Sequence, residues 1–175
     1  MTPRAVVLAV IAALAIVAAV VFAALYFATE PAKKTVVVKP CGEREFGHIK
    51  SLVRKGDHYV LRFDPAWFTS GVTANTAAAE DGAVEPGEPV PNDNYVVDES
   101  ERVLTYLVPT NAHVTVLTNT KDAVGNLYAT PISVSELAQL VKGEKPVELF
   151  EDLESGFWIR VHIDTACSLD QQYRP

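Results

Sequence analysis

The chain reads as an N-terminal transmembrane helix followed by a mainly-β (α+β) domain, a small antiparallel, partly open β-barrel or rolled sheet with two peripheral helices. Three observations predict this. Residues 5–28 contain only Ala, Val, Leu, Ile, Phe and Tyr. Further on, six short segments alternate or cluster β-branched and aromatic residues, with too few helices between them for a doubly wound parallel sheet. Two stretches carry helix signals with a glycine stop.

The apolar run from Ala5 to Ala28 follows a four-residue tail, and at 1.5 Å per residue it is about 36 Å long, enough to cross a hydrocarbon core of about 30 Å with some tilt. Thirteen of its positions are Val, Leu, Ile or Phe, which favour insertion by about 4 to 8 kcal/mol near the bilayer centre. A cleaved signal peptide is the rival reading, but its apolar region would be about 7 to 15 residues long and end in a small-residue cleavage site. Positive charge flanks the run on both sides, Arg4 before it and Lys33, Lys34 and Lys39 after it, so charge alone leaves the orientation open. Residues 29–40 form a juxtamembrane linker stiffened by Pro31 and Pro40, with a short strand at Thr35 to Val38. The domain spans residues 41–175.

In that domain, Phe46 to Arg54 and Tyr59 to Phe63 form a hairpin across the turn residues Lys55 to His58. Asp64-Pro65 is expected to end the second strand, because proline cannot donate a ladder hydrogen bond. Thr73 to Glu80 is alanine-rich and helical, with Gly82 as its stop. Residues 83–93, with Pro86, Pro89 and Pro91, form a loop. Tyr95 to Val97, Val103 to Val108 and Val114 to Leu117 read as strands, joined by turns at residues 98–101 and 109–111. Lys121 to Pro131 reads as a loop with Gly125-Asn126 at its tip. Ser133 and Glu136 form a capping box for a helix that Gly143 stops. Residues 148–153 read equally as a helical turn or a loop. Phe157 to Ile163 is the last strand, with Phe157, Ile159, Val161 and Ile163 on one face, and Cys167 follows it.

The resemblance rests on Phe46-Gly47-His48-Ile49, Leu61 to Phe68 with its Asp64-Pro65-Ala66 turn, the alanine-rich helix ending in Asp81-Gly82, and Asn92-Asp93. In these features the chain resembles a loosely defined group of exported or membrane-anchored actinobacterial proteins, over roughly Phe46 to Leu117. The resemblance carries over no catalytic residue. It does imply an extracytoplasmic domain.

The formal charge is −7, and leaving out Arg4, Lys33, Lys34 and Glu30, a net +2, puts −9 on the part from Thr35 onward. That balance argues against nucleic acid and anionic lipid as partners, since both need a basic face. The expected partners are the bilayer, through Ala5 to Ala28, and another membrane or cell-surface protein. Cys41 and Cys167 are the only cysteines. They pair as a disulfide in an oxidising compartment or remain two buried thiols, and the even count in a tethered domain favours the bridge.

Chemistry is sparsely signalled. The four histidines lack metal-site spacing, and no Gly-x-Ser-x-Gly or phosphate-cradling glycine loop occurs. Of the pairs Trp67-Phe68 and Phe157-Trp158, one member each is expected in the core. Asp64 is the first carboxylate to consider for catalysis, against its plainer role of holding a turn before proline. No cofactor is expected beyond a weak calcium site built on Asp93, with Asp81 and Asp98 as further ligands, in the acidic run from Glu80 to Glu101. The leading expectation is a non-enzymatic binding or assembly module. The alternatives are a small hydrolase using carboxylates among Asp64, Asp81 and Asp93, and a structural subunit of a membrane complex.

Overall fold

The expected hairpin is the spine of the domain: β1 (Glu43–Lys55) and β2 (His58–Ser70) pair antiparallel around a two-residue turn, Gly56-Asp57. Gly56 has a φ of 64°, the left-handed conformation that a two-residue hairpin turn asks of its first residue. The structure, a computed structural model, describes residues 41–98, 102–121 and 127–174. The apolar run 5–28, the linker 29–40 and the Gly125-Asn126 tip lie outside the described residues. Among the described residues no helix is long and apolar enough to cross a membrane.

β2 does not stop at Asp64-Pro65, as expected, but runs on to Ser70. Its outer edge changes partner there: β4 (Leu104–Pro109) pairs up to Phe63↔Leu104, and β3 (Asn94–Val97) begins at Trp67↔Val97. Pro65 falls in the gap, where a missing donor breaks no ladder on that edge. Asp64 therefore lies mid-strand and holds no turn.

Both β3 and β4 are antiparallel to β2, so they run in the same direction along it. Of the turn expected at residues 98–101, residues 99–101 lie outside the described residues. At Pro109 a local turn forms, with the Ala112 N–H donating to the Pro109 carbonyl at 3.0 Å. Yet β4 and β5 (His113–Lys121) are both parallel to β8 (Thr165–Gln171).

Two strands depart from the sequence reading. β6 (Leu127–Ile132) lies within the expected loop and pairs with β5. It ends the strand order, and an edge tolerates Pro131. β8, unexpected, pairs with β7 (Phe157–His162), β5 and β4, and it contains Cys167. Cys167 is bridged to Cys41 across a Cα–Cα distance of 6.3 Å, as expected. Ile163 does not share the inner face of β7: it sits in the turn between His162 and Thr165, at φ 57° and 78% exposed.

The described residues are mainly β with two helices, and their sheet closes partway into a ring. Strands run β1-β2-β4-β8-β7 and back to β1, while β5 and β6 extend the sheet from β8. Directly paired residues lead from Val53 through Val60, Leu107, Thr165 and His162 back to the start of β1 beside Glu43. That return is offset by roughly ten residues, the kind of stagger that tilted strands need in order to close. Leu52, Leu61, Phe63, Val108, Phe157, Ile159 and Leu169 fill the interior.

One helix builds a second, smaller apolar cluster and the other packs on this core. α1 (Gly71–Glu80) buries Ala74 and Ala78 against Val90, Val84 and Tyr95, and ends in a Schellman motif, Gly82 N–H to Ala79 O at 3.1 Å and Ala83 N–H to Ala78 O at 2.8 Å. Asn75 Oδ1 accepts from the Val90 N–H at 2.9 Å, holding the proline-rich loop to the helix. α2 (Val134–Val141) starts in the expected capping box, with Ser133 N–H donating to Glu136 Oε2 at 2.7 Å and Glu136 N–H to Ser133 Oγ at 3.2 Å. The Ser133 N–H and hydroxyl, both donating to Glu136 Oε2, hold that carboxyl below its ordinary value. Val134, Leu137 and Leu140 join the main core.

Candidate binding surfaces

Three places on the domain gather side chains with chemical potential. The first is around Asp64, which lies directly opposite His48 in the β1–β2 register. Asp64 is 5% exposed, accepts from Lys50 Nζ at 2.6 Å through Oδ2, and leaves Oδ1 buried with no hydrogen-bond partner among the described residues. That bond lifts the Lys50 ammonium above its ordinary value. Burial holds His48 below the usual imidazole value, against the opposing pull of Asp98 and Asp64. Backbone closeness makes this possible: a side chain on Gly47 would collide with the Asp64 carbonyl.

The second is an open cleft of about 940 Å³ between His48 to Lys50 of β1, the end of α2 and the segment 143–154. Its floor is apolar, with Leu140, Val147 and Leu149. Its rim carries Glu144, Glu148, Glu151, Asp152 and Glu154 against Lys50 and Lys145. A buried amide holds the rim in place: Gln171 Nε2 donates to the carbonyls of Asp152 at 2.8 Å and Glu151 at 3.2 Å, and its Oε1 accepts from the Leu117 N–H at 2.9 Å. Residues 148–153, ambiguous in the sequence, resolve into an isolated bridge at Leu149 to Thr118 and a 3-10 turn starting at Leu153. Nothing periodic in that segment announces a cleft wall.

The third is the outer face of β2 and β4. Val53, Val60 and Leu107 lie in one cross-strand row, with Ser51, Arg62 and Thr105 in the next. Val53 and Leu107 are about half exposed. The turn Gly56-Asp57 and the turn Ile163-Asp164 flank this face. Sequence alternation names the outward residues, but only the register shows which of them are neighbours.

The expected aromatic pairs divide differently than anticipated. Phe157 is core, but neither Trp67 nor Phe68 is: Trp67 is exposed, and Phe68 packs with Phe46 and Trp158 at ring distances of 5.1 and 5.8 Å. Trp67 alternates with Phe68 onto the opposite face of β2, where it is 68% exposed. Arg44 stacks over Trp158 at 4.0 Å, and the Trp158 indole N–H donates to Gln172 Oε1 at 2.7 Å. This is a satellite cluster on the outside of the sheet.

The other sequence candidates are scattered. Asp81 caps the end of α1 and accepts from the Tyr95 hydroxyl at 3.1 Å. Asp93 is in the 3-10 turn Pro91–Asp93 with a φ of 56°, and Asp98 follows β3. None of Asp64, Asp81 and Asp93 lines the large cleft. Among the described residues no three His, Cys, Asp or Glu side chains gather into a group able to hold a metal ion, so the calcium expectation gains no ligand set here.

Comparison of the chain with known protein families, curated proteins and solved structures gives no match.

Proposed function

We propose that the chain is a membrane-anchored, extracytoplasmic binding or assembly module, held by Ala5 to Ala28, whose partner surface is the outer face of β2 and β4. The observation that carries this reading is the connectivity of the ring. The order β1-β2-β4-β8-β7, closing on β1 with β4 and β8 parallel and a helix ahead of β7, is that of oligonucleotide- and oligosaccharide-binding barrels. In such barrels the second and third strands and the first and last strand-joining turns hold the ligand. Here those parts are β2, β4, Gly56-Asp57 and Ile163-Asp164. The likeness is one of architecture and transfers no ligand.

Composition narrows the ligand class. Single-stranded nucleic acid is held by aromatic stacking platforms in a basic groove, whereas the cross-strand rows of this face are Val53, Val60, Leu107 and Arg62 with hydroxyl neighbours, on a domain of net −10. A protein or lipid partner fits that surface better. The Cys41–Cys167 bridge is consistent with an oxidising compartment, as is the resemblance to exported actinobacterial proteins.

A photo-crosslinking residue at Arg62 in the full chain, expressed in its own cells, tests the reading. The expected result is a discrete membrane-fraction adduct that Leu107→Asp removes and Glu148→Lys, in the cleft, leaves in place. Adducts only from a crosslinker at Glu148 would move the function to the cleft. The hydrolase alternative draws on the buried Asp64 Oδ1, and an Asp64→Asn chain that keeps the Arg62 adduct would separate the two.

A further inference from the structure

We infer that the turn Ile163-Asp164 is a membrane-docking tip: Ile163, with Leu107 beside it, rests in the headgroup–acyl boundary of the bilayer that holds the chain. The inference rests on the anchor reading of Ala5 to Ala28 and says how the domain sits once tethered.

The turn is built against its own backbone preference. His162 and Thr165 are directly paired, so Ile163 and Asp164 form a two-residue hairpin loop. Its first position has a φ of 57°. Glycine normally fills that position, and a β-branched residue there is an outlier. Packing does not explain the choice, because Ile163 is 78% exposed. A strained, exposed aliphatic side chain is the pattern expected of a residue kept for contact with something outside the domain.

The place where the chain enters the domain says what that contact is. Glu43 pairs with Val161, and Gly42 lies so close to the Val161 carbonyl that a side chain on it would collide. The disulfide fixes Cys41 to Cys167, two residues beyond Thr165. Entry point and turn are thus clamped together by backbone pairing and a covalent bond. From Cys41 back to the apolar run there are only the twelve residues 29–40, at most roughly 40 Å of extended chain. Leu107 extends the apolar tip: its N–H donates to the Asp164 carbonyl at 2.8 Å, and its side chain is 44% exposed.

One buried isoleucine shifts a docking equilibrium by only about ten- to hundredfold, too little to recruit a free protein. A short tether changes that, because it holds the domain at an effective concentration of order millimolar to its own membrane. The weak tip then sets orientation and need not supply attachment. The domain's charge of −10 and the adjacent Asp164 point to a neutral, zwitterionic lipid surface.

The test uses the full chain reconstituted in phosphatidylcholine vesicles, with a bimane on Leu107→Cys or on Asp57→Cys and nitroxide-labelled phosphatidylcholine as quencher. The expected result is quenching several-fold stronger at position 107 than at position 57, falling to the position-57 level when Ile163→Asp is added. Equal quenching at the two positions in chains that float with the vesicles would overturn the docking and leave the anchor intact. Chains that fail to float would remove the anchor reading and the docking together.

Discussion

Replacing Ile163 with glycine should make the domain more stable, an unusual expectation for the loss of an aliphatic side chain. At φ 57° an L-residue costs about 1 to 2 kcal/mol relative to right-handed backbone. Because Ile163 is 78% exposed, its removal forfeits little burial. Glycine in turn gives the unfolded chain more freedom, which takes back about 0.4 to 1 kcal/mol. The net gain is about 0.5 to 1 kcal/mol, and Ile163→Val, which keeps the branched β-carbon, should show none of it. Denaturant unfolding of the detergent-solubilised full chain, followed by tryptophan fluorescence, reads this as a higher midpoint at unchanged slope. A lower midpoint for Ile163→Gly would mean that the side chain supports the fold, and the argument from strain would fail. The same variant should lose membrane quenching at position 107, so that stability and docking change in opposite senses.

Other perturbations test other parts of the structure. Cys41→Ser removes a crosslink between residues 126 apart and should cost about 4 to 5 kcal/mol by loop entropy, seen as an unfolding midpoint that no longer responds to reductant. Lys50→Met leaves the buried Asp64 carboxylate without its partner and should destabilise by about 1 to 3 kcal/mol, whereas Lys50→Met with Asp64→Leu should recover most of the loss in the same denaturation assay. Burial, together with the bond to Glu45 Oε2 at 2.9 Å, pushes the Tyr106 phenol up to about 12. A raised phenol favours the protonated folded form. Its stabilising effect is therefore complete below pH 10 and lost as pH rises towards 12. Tyr106→Phe should flatten that limb of a stability–pH curve.

Those residues also mark how far the sequence could be read. The β1–β2 hairpin and α2 were legible because their signals are local: alternation around Tyr59, Leu61 and Phe63, and a capping box at Ser133 and Glu136. The disulfide followed from cysteine count and position. β8 was hidden because two of its buried positions are Ser168 and Gln171, whose polar atoms mask the alternation of an interior strand. β6 was hidden by Pro131, harmless on an edge. The turn near residue 110 looked like a reversal, since its residue types report a bend and not the direction the chain takes after it. The ring depends on the single parallel pairing Leu107↔Thr165, 58 positions apart in sequence, and no local pattern encodes it. The candidate surfaces inherit that limit. Arg62, Leu107 and Ile163 become one face only through register, and the cleft depends on Gln171 holding a segment without periodicity.

Protease accessibility tests the proposed placement of a tethered domain outside the cytoplasm most directly. Protease added to intact spheroplasts should digest the domain and leave a short apolar fragment containing residues 5–28 in the membrane. Complete protection of the domain until the spheroplasts are lysed would place it on the cytoplasmic side and contradict the account.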